Sequence, residues 1–117
     1  MNSKEALVQR IATIQRELAS LGAMRPGSLS EQYNVCGTPG CRCKGPKNPQ
    51  RHGPYYHLNY TWRGRACTQF VKADEVAQVR EELNRYKRFR ALTQEWVACA
   101  VERARLDREQ RRSGHAR

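Results

Sequence analysis

The stretch CGTPGCRC, Cys36 to Cys43, places three thiols within eight residues in the order C-x(4)-C-x-C, with glycine at 37 and 40 and proline at 39. A helix or strand at that spacing does not turn three side chains onto one point, whereas a loop bent by glycine and proline does. The centre of the chain is thereby constrained to an irregular loop whose order comes from what the thiols hold. Three thiolates need a fourth donor to close a tetrahedral structural zinc site. His52 is the first candidate, with eight residues between it and Cys43, and His57 and Cys67 are the reserves. Two alternatives stand beside zinc. One is an iron–sulfur cluster on Cys36, Cys41, Cys43 and Cys67, although the C-x-C pair departs from the plant-type ferredoxin spacing. The other is a set of reduced thiols with no cofactor. Arg42, Lys44 and Arg51 would offset the negative charge of a three-thiolate site and favour the metal-binding thiolate form. Cys99 lies far from this cluster and reads as a small packed hydrophobe.

The need for a staple follows from the rest of the composition. A chain of 117 residues with 38% hydrophobic content supports one compact domain with a thin core. An odd count of five cysteines argues against a disulfide framework. The N-terminus lacks the apolar run of a signal peptide, and no window approaches a transmembrane span, so a cytoplasmic protein without a membrane partner is expected.

Periodicity divides that domain into four segments of an α+β fold. Residues 1–25 hold an amphipathic helix from Lys4 to about Ala23, because Leu7, Ile11, Ile14, Leu18 and Leu21 follow a 4-3-4-3 spacing. Ser3 is placed to cap it, and Gly22 and Pro26 to end it. This coiled-coil-like seam packs either on the chain's other helix or on a second chain. Residues 26–72 hold a connecting segment, RPGSLSEQYNV, which starts one residue earlier at Arg25, then the cysteine loop continuing through GPKNPQRHGP, and a β-hairpin. In the hairpin Tyr56, Leu58, Tyr60 and Trp62 alternate with Tyr55, His57, Asn59 and Thr61, and Arg63-Gly64 marks the turn. A three-residue loop pairing Trp62 with Ala66 is preferred, since it gathers Ala66, Thr68 and Phe70 on the apolar face; a two-residue loop would move Cys67 there instead. Residues 73–110 form a long helix whose seam begins at Val76, Val79, Leu83 and Tyr86 and continues on a shifted stripe of Phe89, Trp96, Val97, Ala100 and Ala104. It is too long for its own core, so a helix-mediated homodimer is expected. Residues 111–117 are a basic tail expected to fray.

The segments GSLSEQYNVCGTPGCRC and HGPYYHLNY, a glycine-turn hairpin and VREELNRYKRFRAL together resemble a family of short prokaryotic proteins of the domain-of-unknown-function kind. The likeness covers roughly Gly27 to Leu92. Some members are associated with transposase-bearing elements, so the resemblance implies a link to mobile elements but no activity. The H-G-P-Y element recurs after the cysteines in such proteins, which favours His52 over His57 as the fourth ligand.

Charge supplies the functional expectation. The formal net charge is +11, and +6 of it falls within residues 31–72, around the cysteines and tyrosines. Basic charge focused beside aromatics marks a nucleic-acid surface. The expected contacts are Arg42, Lys44, Lys47 and Arg51 on the loop, Arg63 and Arg65 at the hairpin tip, and Arg85, Lys87, Arg88 and Arg90 in RYKRFR, with DNA favoured over RNA. The alternative is a zinc-stabilised dimeric adaptor that binds another protein. No enzyme is expected, and no small-molecule substrate: the sequence holds no triad, H-E-x-x-H, deaminase or P-loop pattern, and a four-ligand zinc offers no open position.

Overall fold

The computed structural model describes residues 3–45 and 50–115. Helix α1 (Ser3–Ser20) is followed by strands β1 (Ser28–Asn34), β2 (His52–Trp62) and β3 (Arg65–Val71), and helix α2 (Val76–His115) closes the α+β chain. The strands form one antiparallel sheet in the order β1-β2-β3. The chain divides into two compact units, Arg25–Asn84 in one and Met1–Met24 with Arg85–Arg117 in the other.

The helical unit is held by apolar residues at its centre and ion pairs at its margins. Ile11 and Ile14 of α1 and Leu92 of α2 are buried. Arg10 grips Glu95, with Nη2 donating to Oε1 at 2.7 Å, and Arg88 grips Glu17 in the same way at 2.9 Å. Lys4 contacts Asp107. The partners descend α2 as they ascend α1, so the two helices run antiparallel, and the Leu7 to Leu21 seam is used within the chain. Ser3 is already helical, and Gly22 ends the helix in the left-handed region at φ +82°, where a glycine costs least.

In the sheet unit one face of the strands meets the first turns of α2. Leu58 and Val71 pack with Val76, Val79 and Leu83, and the half-buried Leu29, Tyr56 and Tyr60 extend the cluster. Glu82 is also buried here and accepts Arg25 Nε at 2.8 Å, while Arg25 N–H donates to the Glu82 carbonyl at 3.2 Å.

Several sequence expectations need correction. The supposed connecting segment contains β1, which pairs with β2 from Ser28–Asn59 to Asn34–His52. Its polar residues disguise it, because an edge strand needs few apolar contacts beyond Leu29 opposite Leu58. Strand β2 also begins earlier than read, at His52. Pro54 is tolerated because β3 ends opposite Tyr56, leaving Pro54 beside β1 alone, where the register is irregular between Gln32 and Asn34.

The hairpin uses the two-residue loop. Trp62 pairs with Arg65, and Arg63 (φ +51°) with Gly64 (φ +77°) makes a turn whose twist matches the strands. Cys67 therefore lies opposite Tyr60 on the helix-facing side, Val71 takes the core place expected of Phe70, and Phe70 meets His57 edge-on with ring centroids 6.0 Å apart. Finally, α2 continues to His115, through most of the segment expected to fray.

Candidate metal centre

Cys36, Cys41, Cys43 and His52 converge, with their ligand atoms all within 4.8 Å of one another. Secondary structure brings the ends of the loop together. The Asn34–His52 pair fixes where β1 releases the chain and where β2 receives it, so Cys36, two residues beyond Asn34, starts beside His52. A short 3-10 turn, Arg42–Lys44, then carries Cys43, with Cys41 at its N-cap. Lys44 N–H donates to Cys41 O at 3.0 Å, Gly45 N–H to Arg42 O at 3.2 Å, and Gln50 N–H to the same Arg42 carbonyl at 3.0 Å. Gly40, at φ +75°, supplies the backward bend before Cys41.

The distances suit a metal ion. Cys36 Sγ and Cys43 Sγ are 3.6 Å apart, and Cys41 Sγ is 3.1 Å from His52 Nε2. With Zn–S bonds of about 2.3 Å, the edges of a tetrahedral site are ~3.8 Å between sulfurs. Three thiols and one imidazole are a donor set consistent with zinc.

Backbone amides reinforce the arrangement. The Thr38 amide, followed by the Cys41 side chain, lowers the Cys36 thiol to about 6. The Cys43 amide lowers Cys41, while burial raises the enclosed Cys43, whose sulfur accepts the Cys36 N–H at 3.3 Å. His52 is raised, chiefly by its hydrogen bond with Cys41. Donors aimed at sulfur favour the thiolate, the form a metal requires.

The reserve ligands fall elsewhere. His57 lies between Ser30 and Phe70 across the sheet, with a buried Nδ1 that has no hydrogen-bond partner among the described residues. Cys67 lies on the helix-facing side of β3 and its Sγ contacts Arg65 O at 3.7 Å. The iron–sulfur alternative, which requires Cys67, thus lacks its fourth thiol at the cluster.

The expected basic contacts separate into two groups. Arg42, Lys44 and Arg51 are exposed around the cysteine loop, and Lys44 Nζ donates to Thr38 O at 3.2 Å. Arg63 and Arg65 are exposed at the hairpin turn; Lys47 lies outside the described residues. In RYKRFR, Lys87 and Arg90 are exposed, whereas Arg88 binds Glu17 and Arg85 Nη1 donates to Ala23 O at 3.0 Å. Sequence reasoning missed the solvent-facing Trp62, 61% exposed, with the Arg63 guanidinium 5.6 Å from its ring centroid. Its place beside the Arg63-Gly64 turn signal was the available clue.

Fold and cluster together define a small α+β protein with a Cys3His group able to hold a metal ion. Residues 4–81 match a family described as a domain of unknown function (DUF6788), and the chain belongs to that family. A search of curated proteins and a search of solved structures found no match. No helix among the described residues is long and apolar enough to cross a membrane.

Proposed function

We propose that this chain is a small zinc-stabilised nucleic-acid-binding protein, with DNA as the favoured partner. The observation that carries the reading is the hairpin tip, where exposed Trp62 is flanked by Arg63 over its ring and by Arg65 directly across the strand pair. An exposed aromatic offers a stacking surface for a base or sugar, and two guanidinium groups beside it suit phosphates. Arg42, Lys44 and Arg51 extend the basic surface along the cysteine loop.

Zinc acts here as a structural clamp. Cys36, Cys41, Cys43 and His52 supply four ligands and so leave no open coordination position, which is why we assign no catalytic activity. The family resemblance extends the proposal to an accessory or regulatory role beside a mobile element in a prokaryotic cytoplasm.

Binding to duplex and single-stranded probes across a salt series tests the reading. Replacing Arg63 and Arg65 with Gln is expected to weaken binding and remove about two counterions from the salt slope if both contact phosphates. Absence of binding to every probe at low salt would overturn the proposal in favour of a protein-binding adaptor.

A further inference from the structure

We infer that a second copy of this chain packs antiparallel along α2 over the stripe from Arg90 to Asp107. This inference is independent of the nucleic-acid reading. Thr93, Trp96, Val97, Ala100, Val101 and Ala104 line a shallow apolar groove on the helix. Val97 is 62% and Val101 65% exposed, whereas Leu92, on the neighbouring stripe, is fully buried. An apolar strip of more than three helical turns in so basic a chain marks an association surface. Thr93 suits a dry contact, because its Oγ1 donates back to the Phe89 and Arg90 carbonyls at 3.0 Å, satisfying the hydroxyl within the helix.

The stripe is complementary to itself in one register. Positions 86, 90, 93, 97, 100, 104, 107 and 111 follow an alternating four- and three-residue spacing. A two-fold axis between positions 98 and 99 sets Val97 opposite Ala100 of the second copy, Thr93 opposite Ala104, Arg90 opposite Asp107 and Tyr86 opposite Arg111. Large meets small at the centre, and cation meets anion at both ends through the symmetry. Lys4 contacts Oδ1 of Asp107, and a carboxylate accepts more than one cation. A parallel pair would instead oppose Arg90 to itself. The paired length from 90 to 107 is about 26 Å at the helical rise, a small interface that suits a dimer of about micromolar affinity.

Light scattering of the full chain from about 1 to about 200 µM spans that affinity. A monomer-to-dimer transition is expected, with circular dichroism reporting whether each variant keeps its helices. Val97→Glu is expected to raise the dissociation constant by about a hundredfold, since it would bury a carboxylate; Val97→Ser serves if the glutamate variant misfolds. Arg90→Asp is expected to weaken the dimer about tenfold by opposing two carboxylates. Combining it with Asp107→Arg should restore affinity, with Lys4→Glu added to preserve the contact to position 107. A monomer throughout, insensitivity to both Val97 variants, or failure of the reversed charges to restore dimerisation would overturn the inference.

Discussion

Cys41 Sγ lies 3.1 Å from His52 Nε2, although the first ends a bent loop and the second opens β2. The pairing of Asn34 with His52 makes this possible by closing the long connection between β1 and β2 at its base. A metal ion held by this cluster would be coupled to the sheet, because the strands prepay much of the entropy of bringing the ligands together.

One zinc per chain is expected in protein purified without chelator. His52→Ala should lower zinc affinity by at least about tenfold, whereas His57→Ala and Cys67→Ser should leave the stoichiometry unchanged. Metal analysis after dialysis against a graded series of chelators separates these outcomes. An emptied site in Cys67→Ser would show that the ligand assignment is wrong.

Gly53→Ala should destabilise the sheet unit and loosen the metal centre together. Gly53 has φ +140°, and a Cβ there would stand 2.8 Å from the Gln32 carbonyl oxygen and 3.0 Å from Tyr33 Cδ1. Strain and backbone displacement are expected to cost about 2 kcal/mol. Denaturant unfolding and zinc retention measured on the same sample check whether both properties fall.

Leu58→Ala should remove about 3 kcal/mol of stability, because Leu58 is fully buried at the centre of the sheet–helix cluster. Phe70→Ala, on the opposite and solvent-facing side of β3, should cost less than about 1 kcal/mol. A reversed order in the unfolding midpoints would contradict the two-residue hairpin register.

The helical unit should lose stability in acid. Hydrogen bonds from Arg88, Arg10 and Lys4 hold the carboxyls of Glu17, Glu95 and Asp107 below their ordinary range in the folded chain. Their contribution is therefore complete above the unfolded carboxylate range, about pH 4, and fades as pH falls through the lowered folded values. Thermal unfolding followed at 222 nm (about the helical minimum) should shift down below about pH 4, and Glu17→Gln should flatten that dependence. A midpoint that is constant through acid would refute the coupling.

Much of this architecture was legible because it is local. The 4-3-4-3 spacing of Leu7 to Leu21 identifies α1, and Val76, Val79 and Leu83 identify the buried start of α2, because a helix displays its periodicity whatever it packs against. The glycines and proline between Cys36 and Cys41 likewise reveal a bent thiol-bearing loop. β1 was not legible: SLSEQYN carries turn-like residues, and only its ladder with β2, with Leu29 against the core, makes it a strand.

By itself, then, the sequence determined the helices, the presence of a hairpin, the basic character and the three cysteines that gather, since each is written in spacing over a few turns or in composition. Only the tertiary structure decided that His52 completes the cluster, that Val71 and not Phe70 enters the core, and that the α1 seam is met by α2 of the same chain. These are choices between alternatives of nearly equal local preference. They are settled by pairing energies between segments far apart in sequence: the Asn34–His52 register, the twist of the Arg63-Gly64 turn, and the ion pairs from Arg10 and Arg88 across the helices.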